Sequence, residues 1–384
     1  GLAGLRVVVT GAEQGLGLET IRELAKQGAH AIAVGRTSSP ELDALAQLFP
    51  ATPTASPTAS PTASPTDSPI EASSPSMGSV QVVTGVDVTK TESMEKMVNE
   101  VGIGGPVDWV INNAGYFYGP EESVGDGGAE EGHLNFEEEL RMLDVCAVGP
   151  LRVTSALFKA GLLIKGDGHS EADSEADSEA AETNDDEKEE EEEEGASGAG
   201  KGKGGKGKGK GKGKGKGGKG KGKGNGGKGK GKGKGGKGKG GCDEAEAPEA
   251  GKAYVSVKTP DFPSKVPKKA GKILIITSQA GSCAWRLVQN PRGGNYGHHM
   301  SRAACNMMGV LLAQEFKASG VCVQLFHPGF NKTAMTRKYE HLWAEEGAVD
   351  PEVGAKRVLH EAMRARIATT GTFVNCEDGL QIPW

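Results

Sequence analysis

Long apolar runs are missing from this chain, and aromatic side chains make up only 5% of its 384 residues. No stretch has the uninterrupted apolar length that a bilayer-spanning helix needs. The six cysteines include no CxxC pair and most lie in apolar surroundings, so neither a disulfide framework nor a zinc site is expected. His299, His327 and His341 stand at no metal-ligand spacing with cysteine or acid, and metal binding is not expected. Unpaired thiols fit a soluble protein of a reducing compartment, cytoplasm or organelle stroma or matrix. The first residue is Gly1, not methionine, so targeting is not legible.

What is plentiful is glycine, 61 residues, and it is unevenly spread. Residues 51–78 form a Pro/Thr/Ser/Ala repeat, and 166–271 form an acidic block, a Lys-Gly block and a polar exit. Between Glu171 and Glu194 there are 15 acidic residues and one lysine; between Lys201 and Lys239 there are 17 lysines and no acid. The blocks largely offset each other, and the formal net charge of −6 leaves the rest of the chain acidic. The lysine string carries no aromatics to stack on bases, so a nucleic-acid-binding domain is not expected. Neither segment has the apolar residues to fold, and both read as disordered insertions. What remains, 1–50, 79–165 and 272–384, is roughly 250 residues, enough for one interrupted domain with a full core.

That body alternates strand and helix patterns. Leu5 to Thr10 is a short β-branched run, Leu16 to Gln27 a helix with Gly28 as its C-terminal cap, and Ala29 to Val34 a second strand. Val80 to Val83, Val107 to Ile111, Ile273 to Thr277 and Val321 to Phe326 repeat the strand pattern, and Pro40 to Leu48 and Pro150 to Ile164 the helical one. Nearly continuous hydrophobicity marks strands buried on both faces. The expected fold is therefore α/β: a doubly wound parallel sheet of Rossmann type, a single domain with two long low-complexity insertions in its connections.

The first strand meets the first helix through Thr10-Gly11-Ala12-Glu13-Gln14-Gly15-Leu16-Gly17. Glycines there permit a tight turn and let the backbone approach a pyrophosphate, which the helix N-terminus attracts. The generic GxGxxG pattern is not met, since Thr20 stands where a third glycine would. At the end of the second strand, where a carboxylate would read a ribose hydroxyl, the chain has Gly35-Arg36-Thr37. A guanidinium grips a 2′-phosphate, so Arg36 favours NADP over NAD, while Glu13 argues the other way.

Thr10 to Gly17 resembles the TGxxxGxG turn of the short-chain dehydrogenase/reductase family. Further motifs resemble it in order: Asp87-Val88 after the third strand, Asn112-Asn113-Ala114-Gly115 after the fourth, and Pro328-Gly329-Phe330-Asn331-Lys332-Thr333 after the sixth. Leu151 to Leu157 and Gly293 to Met308 are similar to its C-factor-like branch. The resemblance implies that Gly11, Gln14, Gly15, Leu16, Gly17, Asp87, Val88, Asn113, Ala114, Gly115, Pro328, Gly329 and Thr333 hold the dinucleotide, with Arg36. Singly, each motif also reads blandly: Asn113 and Gly115 as a strand-end turn, Asp87 as a turn cap, Pro328-Gly329 as a loop start.

Members of the family reduce carbonyls or oxidise alcohols with serine, tyrosine, lysine and asparagine. Developing alkoxide charge needs a hydrogen bond and a proton source. Ser278 fits the serine. If Ser301-Arg302-Ala303 replaces the usual Ser-Lys-Ala, the tyrosine position is His298 and the lysine position Arg302, and Cys146 takes the asparagine position. His298 and Arg302, four apart, share a helix face. Arg302 would keep the imidazole neutral and could hold ribose hydroxyls. Tyr296 is a second donor candidate only if the helix starts after it, as Gly293, Gly294 and Gly297 suggest. Cys146 reads as packing rather than a nucleophile.

Ala334 to Trp343 reads as a lid over the crevice, its aromatic and basic groups suiting a polar or anionic substrate. Apolar runs Leu151 to Leu163 and Ala303 to Leu312 would, in the family, pair subunits into a dimer or tetramer. The expected function is an NADP-preferring oxidoreductase acting on a small carbonyl or alcohol. The competing expectation is a dinucleotide-binding pseudoenzyme, a regulatory or scaffold subunit that engages a protein partner through lid or inserts.

Overall fold

The computed structural model describes residues 2–51, 78–119, 122–124, 134–166 and 271–384, and the readings made for the two inserts lie outside them except at their end positions. Seven parallel strands form one sheet in the order β3-β2-β1-β4-β5-β6-β7. They are β1 (Arg6–Thr10), β2 (His30–Val34), β3 (Ser79–Val83), β4 (Trp109–Asn112), β5 (Lys272–Ile276), β6 (Cys322–His327) and β7 (Phe373–Asn375). The helices are α1 (Gly15–Lys26), α2 (Pro40–Leu48), α3 (Glu92–Gly102), α4 (Phe136–Leu143), α5 (Gly149–Lys159), α6 (Cys283–Gln289), α7 (Tyr296–Lys317) and α8 (Pro351–Arg364). Between α4 and α5 the chain makes one wider π-helical turn, Asp144–Val148.

Alternate residues of each strand feed two cores. Val7, Val9, Leu274 and Phe326 meet Ile21 and Leu24 of α1 and Val358 and Leu359 of α8. Val8, Ile273 and Ile275 meet Met97 of α3, Val153 and Leu157 of α5, and Leu312 and Phe316 of α7. Burial on both faces is why these strands read as continuous apolar runs. The cap expected at Gly28 is present, with φ +86° and the Ala29 amide donating to Leu24 O. Ser39 caps α2 by accepting from Leu42 N, and Pro40 occupies its first turn.

Two boundaries differ from the sequence reading by more than one residue. The helix expected to run to Ile164 ends at Lys159, because Gly161 turns left-handed and Leu163 pairs with Val107. That bridge takes Val107 out of β4, which starts at Trp109. At both inserts the chain leaves and returns at neighbouring points: Pro50 pairs with Val80, and Gly271 lies against Ile164 O. Strand order reverses between β1 and β4, which opens a crevice at their carboxyl ends.

Lys272, at the start of β5, is 2% exposed. Its ammonium donates to Ala362 O (2.8 Å) and Met363 O (3.3 Å) at the end of α8 and lies over the Trp109 ring. Burial lowers its pKa from 10.5 to about 8, against the pull of Cys322. Between those values the unfolded chain holds more protons than the folded one, so stability rises with pH. Urea unfolding at about pH 7.5 and about pH 10 should show the parent gaining roughly 2–3 kcal/mol relative to Lys272→Met. Identical pH dependence in the two chains would contradict this.

Candidate active site

The turn from β1 to α1 is tied to the end of β4. Thr10 Oγ1 accepts from the amides of Asn113 and Ala114, each at 3.1 Å. Asn113 Nδ2 donates to Thr10 O and Gly11 O, each at 3.0 Å. Gly11 and Gly15 have φ of +63° and +55°, open to glycine at little cost. Gly17 serves packing instead: a Cβ there would lie 2.2 Å from Gly11 O and 2.5 Å from Asn113 Nδ2. The Asn113 side chain thus does what a turn-shaping residue does, and its use is to hold the glycine turn. Gln14 precedes α1 with extended backbone and makes no side-chain cap, and Leu16 packs half-buried against the core.

Beside this turn lies a cavity of about 500 Å³ lined by Gly11, Gly35, Arg36, Asp87, Val88 and Gly115 among others. A second, of about 530 Å³, is lined by Gln14, Gly15, Arg36, Thr37, Ser38 and Ser39. Arg36 and Glu13 line both. Glu13 Oε2 is buried without a hydrogen-bond partner, and a Cβ on Gly35 would lie 2.6 Å from it. Burial alone would raise the Asp87 carboxyl, but hydrogen bonds from Thr89 N and Oγ1, with Arg36 and Lys90, outweigh it and hold the carboxyl below its usual range. Asp87 therefore both caps its own turn and faces the cavity. A glycine cradle and two adjoining cavities fit an adenine dinucleotide; Thr333 borders the cradle, its Cγ2 3.4 Å from the Cβ position of Gly15.

The residues read as an altered catalytic set, Ser278, Tyr296, His298 and Arg302, line neither of these two cavities. Ser278, two residues past β5, caps the next turn by accepting from Ala280 N. Gly281 of that turn sits on the backbone of Arg302, 2.7 Å from its carbonyl carbon and oxygen by the built Cβ. Arg302 is 5% exposed, its Nη2 3.2 Å from the Cβ position of Gly115 and its Nε without a partner. His298 stacks edge-on against Phe117 at 4.9 Å, and its Nδ1 is buried with no partner. Burial, then Arg302, His299, Lys338 and Arg286, hold the imidazole well below its ordinary pKa.

A helix beginning after Tyr296 is not found. Asn295, with φ +49°, ends the loop and α7 begins at Tyr296 itself. Gly297 does not break the helix; it lets α4 approach, since a Cβ there would lie 2.2 Å from Met142 Cε and 3.1 Å from Glu139 Cα. Tyr296 is thus about 200° around the helix from His298 and 37% exposed. Cys146 sits in the π-helical turn, 1% exposed, accepting from Tyr116 N and donating to Tyr116 O, each at 3.4 Å. Its thiol steadies the strand end that carries Gly115.

The sequence reading weighed His327 only as a metal ligand and Lys338 only as part of a lid, and it did not single out Arg286. His327, at the end of β6, is buried with Nδ1 unpartnered, and burial with Arg286 and Arg302 lowers its pKa to about 3. Arg286 of α6 acts on His298, His299 and His327 alike. Lys338, in the 3-10 segment Ala334–Leu342 that follows Thr333, donates to Gly119 O and lies over the rings of Phe117 and Tyr339. No periodicity marks these residues, because their proximity is set by the sheet alone.

A family model described as short chain dehydrogenase matches residues 6–68. The 1-hydroxy-2-glutathionyl-2-methyl-3-butene dehydrogenase of Rhodococcus sp. (strain AD45) is 31% identical over 116 residues, 30% of this chain and 48% of that protein. The match thus spans about half of that relative. The carbonyl reductase Sniffer of D. melanogaster shares the fold with a TM-score of 0.56 at 15% identity, over 99% of this chain and 100% of that one. The NADPH-bound carbonyl reductase from chicken fatty liver does so with a TM-score of 0.54 at 16% identity, over 100% of both chains.

Gly17→Ala should force its methyl into Gly11 O and Asn113 Nδ2, costing about 1–3 kcal/mol or more in urea unfolding. A variant as stable as the parent would contradict the packing described.

Proposed function

We propose, from the premise that the chain is a short-chain dehydrogenase/reductase by motif and fold, that it is an NADP-preferring oxidoreductase of small carbonyl or alcohol substrates. The body so assigned is 1–50, 79–165 and 272–384, one domain with two insertions. The observation that carries this is the glycine turn sewn to β4 by Thr10 and Asn113, opening on two cavities that share Arg36. NADPH in the chicken carbonyl reductase supports the phosphorylated cofactor, as does the chemistry of the second cavity. Arg36 there would fork onto a 2′-phosphate beside Thr37, Ser38 and Ser39, whereas Glu13 would repel it. Gly11, Gln14, Gly15, Leu16 and Gly17 would take the diphosphate, Asp87 and Val88 the adenine, and Asn113, Ala114, Gly115, Pro328, Gly329 and Thr333 the nicotinamide half.

A reduced nicotinamide supplies hydride when bound. The chain's own part is to polarise the carbonyl and stabilise the alkoxide, which takes its proton from solvent water to leave as the alcohol. Ser278 donates its hydroxyl proton in a hydrogen bond to that oxygen. His298, neutral, donates an N–H, acting as an electrophile rather than as an imidazolium acid. Arg302 adds fixed positive charge and can bind ribose hydroxyls, but gives up no proton. Exposed Met307 and Leu311 on α7 suit the subunit contacts common in the family.

Neutral His298 also favours a second reading, a pseudoenzyme that binds dinucleotide without turnover, because a strongly depressed imidazole is a poor proton donor. A carbonyl panel with NADPH separates the two. The enzyme reading expects kcat to fall roughly 100-fold in His298→Ala with Tyr296→Phe near the parent. Absence of turnover on a broad panel despite NADPH binding would favour the pseudoenzyme. The sign of the His298 shift adds a pH expectation. The imidazole is already deprotonated between about pH 6 and 8, so kcat/KM should be flat there. A bell with an arm near pH 6.5 that vanishes in His298→Ala would contradict it.

A further inference from the structure

An ion pair stands beneath the loop that closes the nicotinamide end of the crevice. Glu377, just after β7, pairs with Arg357 of α8 at 3.3 Å (Oε1–Nη1), the two side chains being 17% and 12% exposed. The carboxylate lies against Gly329: a Cβ there would fall 2.7 Å from Glu377 Oε1 and Cγ. Gly329 has φ +82°, a second reason for glycine at this position. The Phe330 amide donates to the same carboxylate. Burial pushes the Glu377 carboxyl up, against the pull of Arg357 and of the Phe330 N–H.

The remainder of the loop is fastened from its other side. Asn331 Nδ2 donates to Pro328 O and Gly329 O, Lys332 N donates to Val349 O, and Thr336 Oγ1 donates to Asn331 O. Backbone bonds hold the loop as well, Val349 N donating to Phe330 O and Cys376 N to His327 O. Glu377 adds a side-chain hold on the Gly329–Phe330 corner, two residues past the Phe326↔Val374 and His327↔Asn375 pairs of β6 and β7.

We propose that the Glu377–Arg357 pair is a positioning device for the nicotinamide half of the dinucleotide: by holding the Gly329–Phe330 corner it sets the gap between Thr333 and the glycine turn. The proposal rests on the dinucleotide reading above, and it separates the two halves of the ligand. Arg36 and Asp87, which line the adenosine cavities, stand at the opposite side of the switch point. Loss of Glu377 should therefore be felt by nicotinamide and not by adenosine.

The test compares NADPH with 2′,5′-ADP, which has no nicotinamide, by calorimetric titration of the parent, Glu377→Ala, Glu377→Gln and Arg357→Gln, each checked for folding by circular dichroism. Glu377→Ala is expected to weaken NADPH about tenfold while 2′,5′-ADP stays within about twofold. Glu377→Gln, which keeps an acceptor for Phe330 N–H, should fall between Glu377→Ala and the parent. Equal losses for the two ligands would overturn the proposal, showing a general structural role. Unchanged NADPH affinity in the folded Glu377→Gln and Arg357→Gln chains would overturn it as well. Failure of the parent to bind either ligand would remove the dinucleotide reading itself, and the proposal with it.

Discussion

Four hydrogen bonds between Thr10, Gly11, Asn113 and Ala114 hold the carboxyl ends of β1 and β4 together where the sheet changes direction. Strand order reverses here and opens the crevice, and these bonds fix the shape of its floor. Gly17 belongs to the same arrangement, since only a hydrogen in place of its side chain leaves room for Gly11 O and Asn113 Nδ2. The turn is thus preformed: its shape comes from covalent neighbours and β4, so a bound anion would not have to organise it.

The electrostatics of the crevice are asymmetric. Around the two cavities charges of both signs meet, with Glu13 against Gly35, Arg36 lining both, and Asp87 held below its usual range by Thr89, Arg36 and Lys90. Around His298 stand the cations Arg302, Lys338 and Arg286, with the His299 ring beside them. Burial adds to them, and the imidazole is neutral at working pH. Such surroundings would favour negative charge on a nearby oxygen, as the proposed oxidoreductase reading requires. Arginine at the lysine position contributes to this in one direction only, as a permanent cation.

Strand type and the principal turn were legible because each is a local signal: buried parallel strands read as apolar runs, and turns read as glycine at defined places. β7, with three residues, is too short to give such a signal. Gly297 misled for a physical reason. Glycine near a helix start reads as a breaker, but here it makes room for α4, and Asn295 does the breaking. Asn113 carried two readings, turn-shaping and ligand-binding, and the turn-shaping one describes what its side chain does. Glu377 and Arg286 were invisible, because nothing in their neighbours in sequence indicates that β7 and α6 bring them to the crevice.

The account stands on where a diphosphate would lie. A crystal structure of the chain with NADP+ tests this most directly. It should show pyrophosphate oxygens within hydrogen-bond distance of the backbone nitrogens of residues 15–17. Density for the diphosphate elsewhere, or those nitrogens turned from it, would contradict the account.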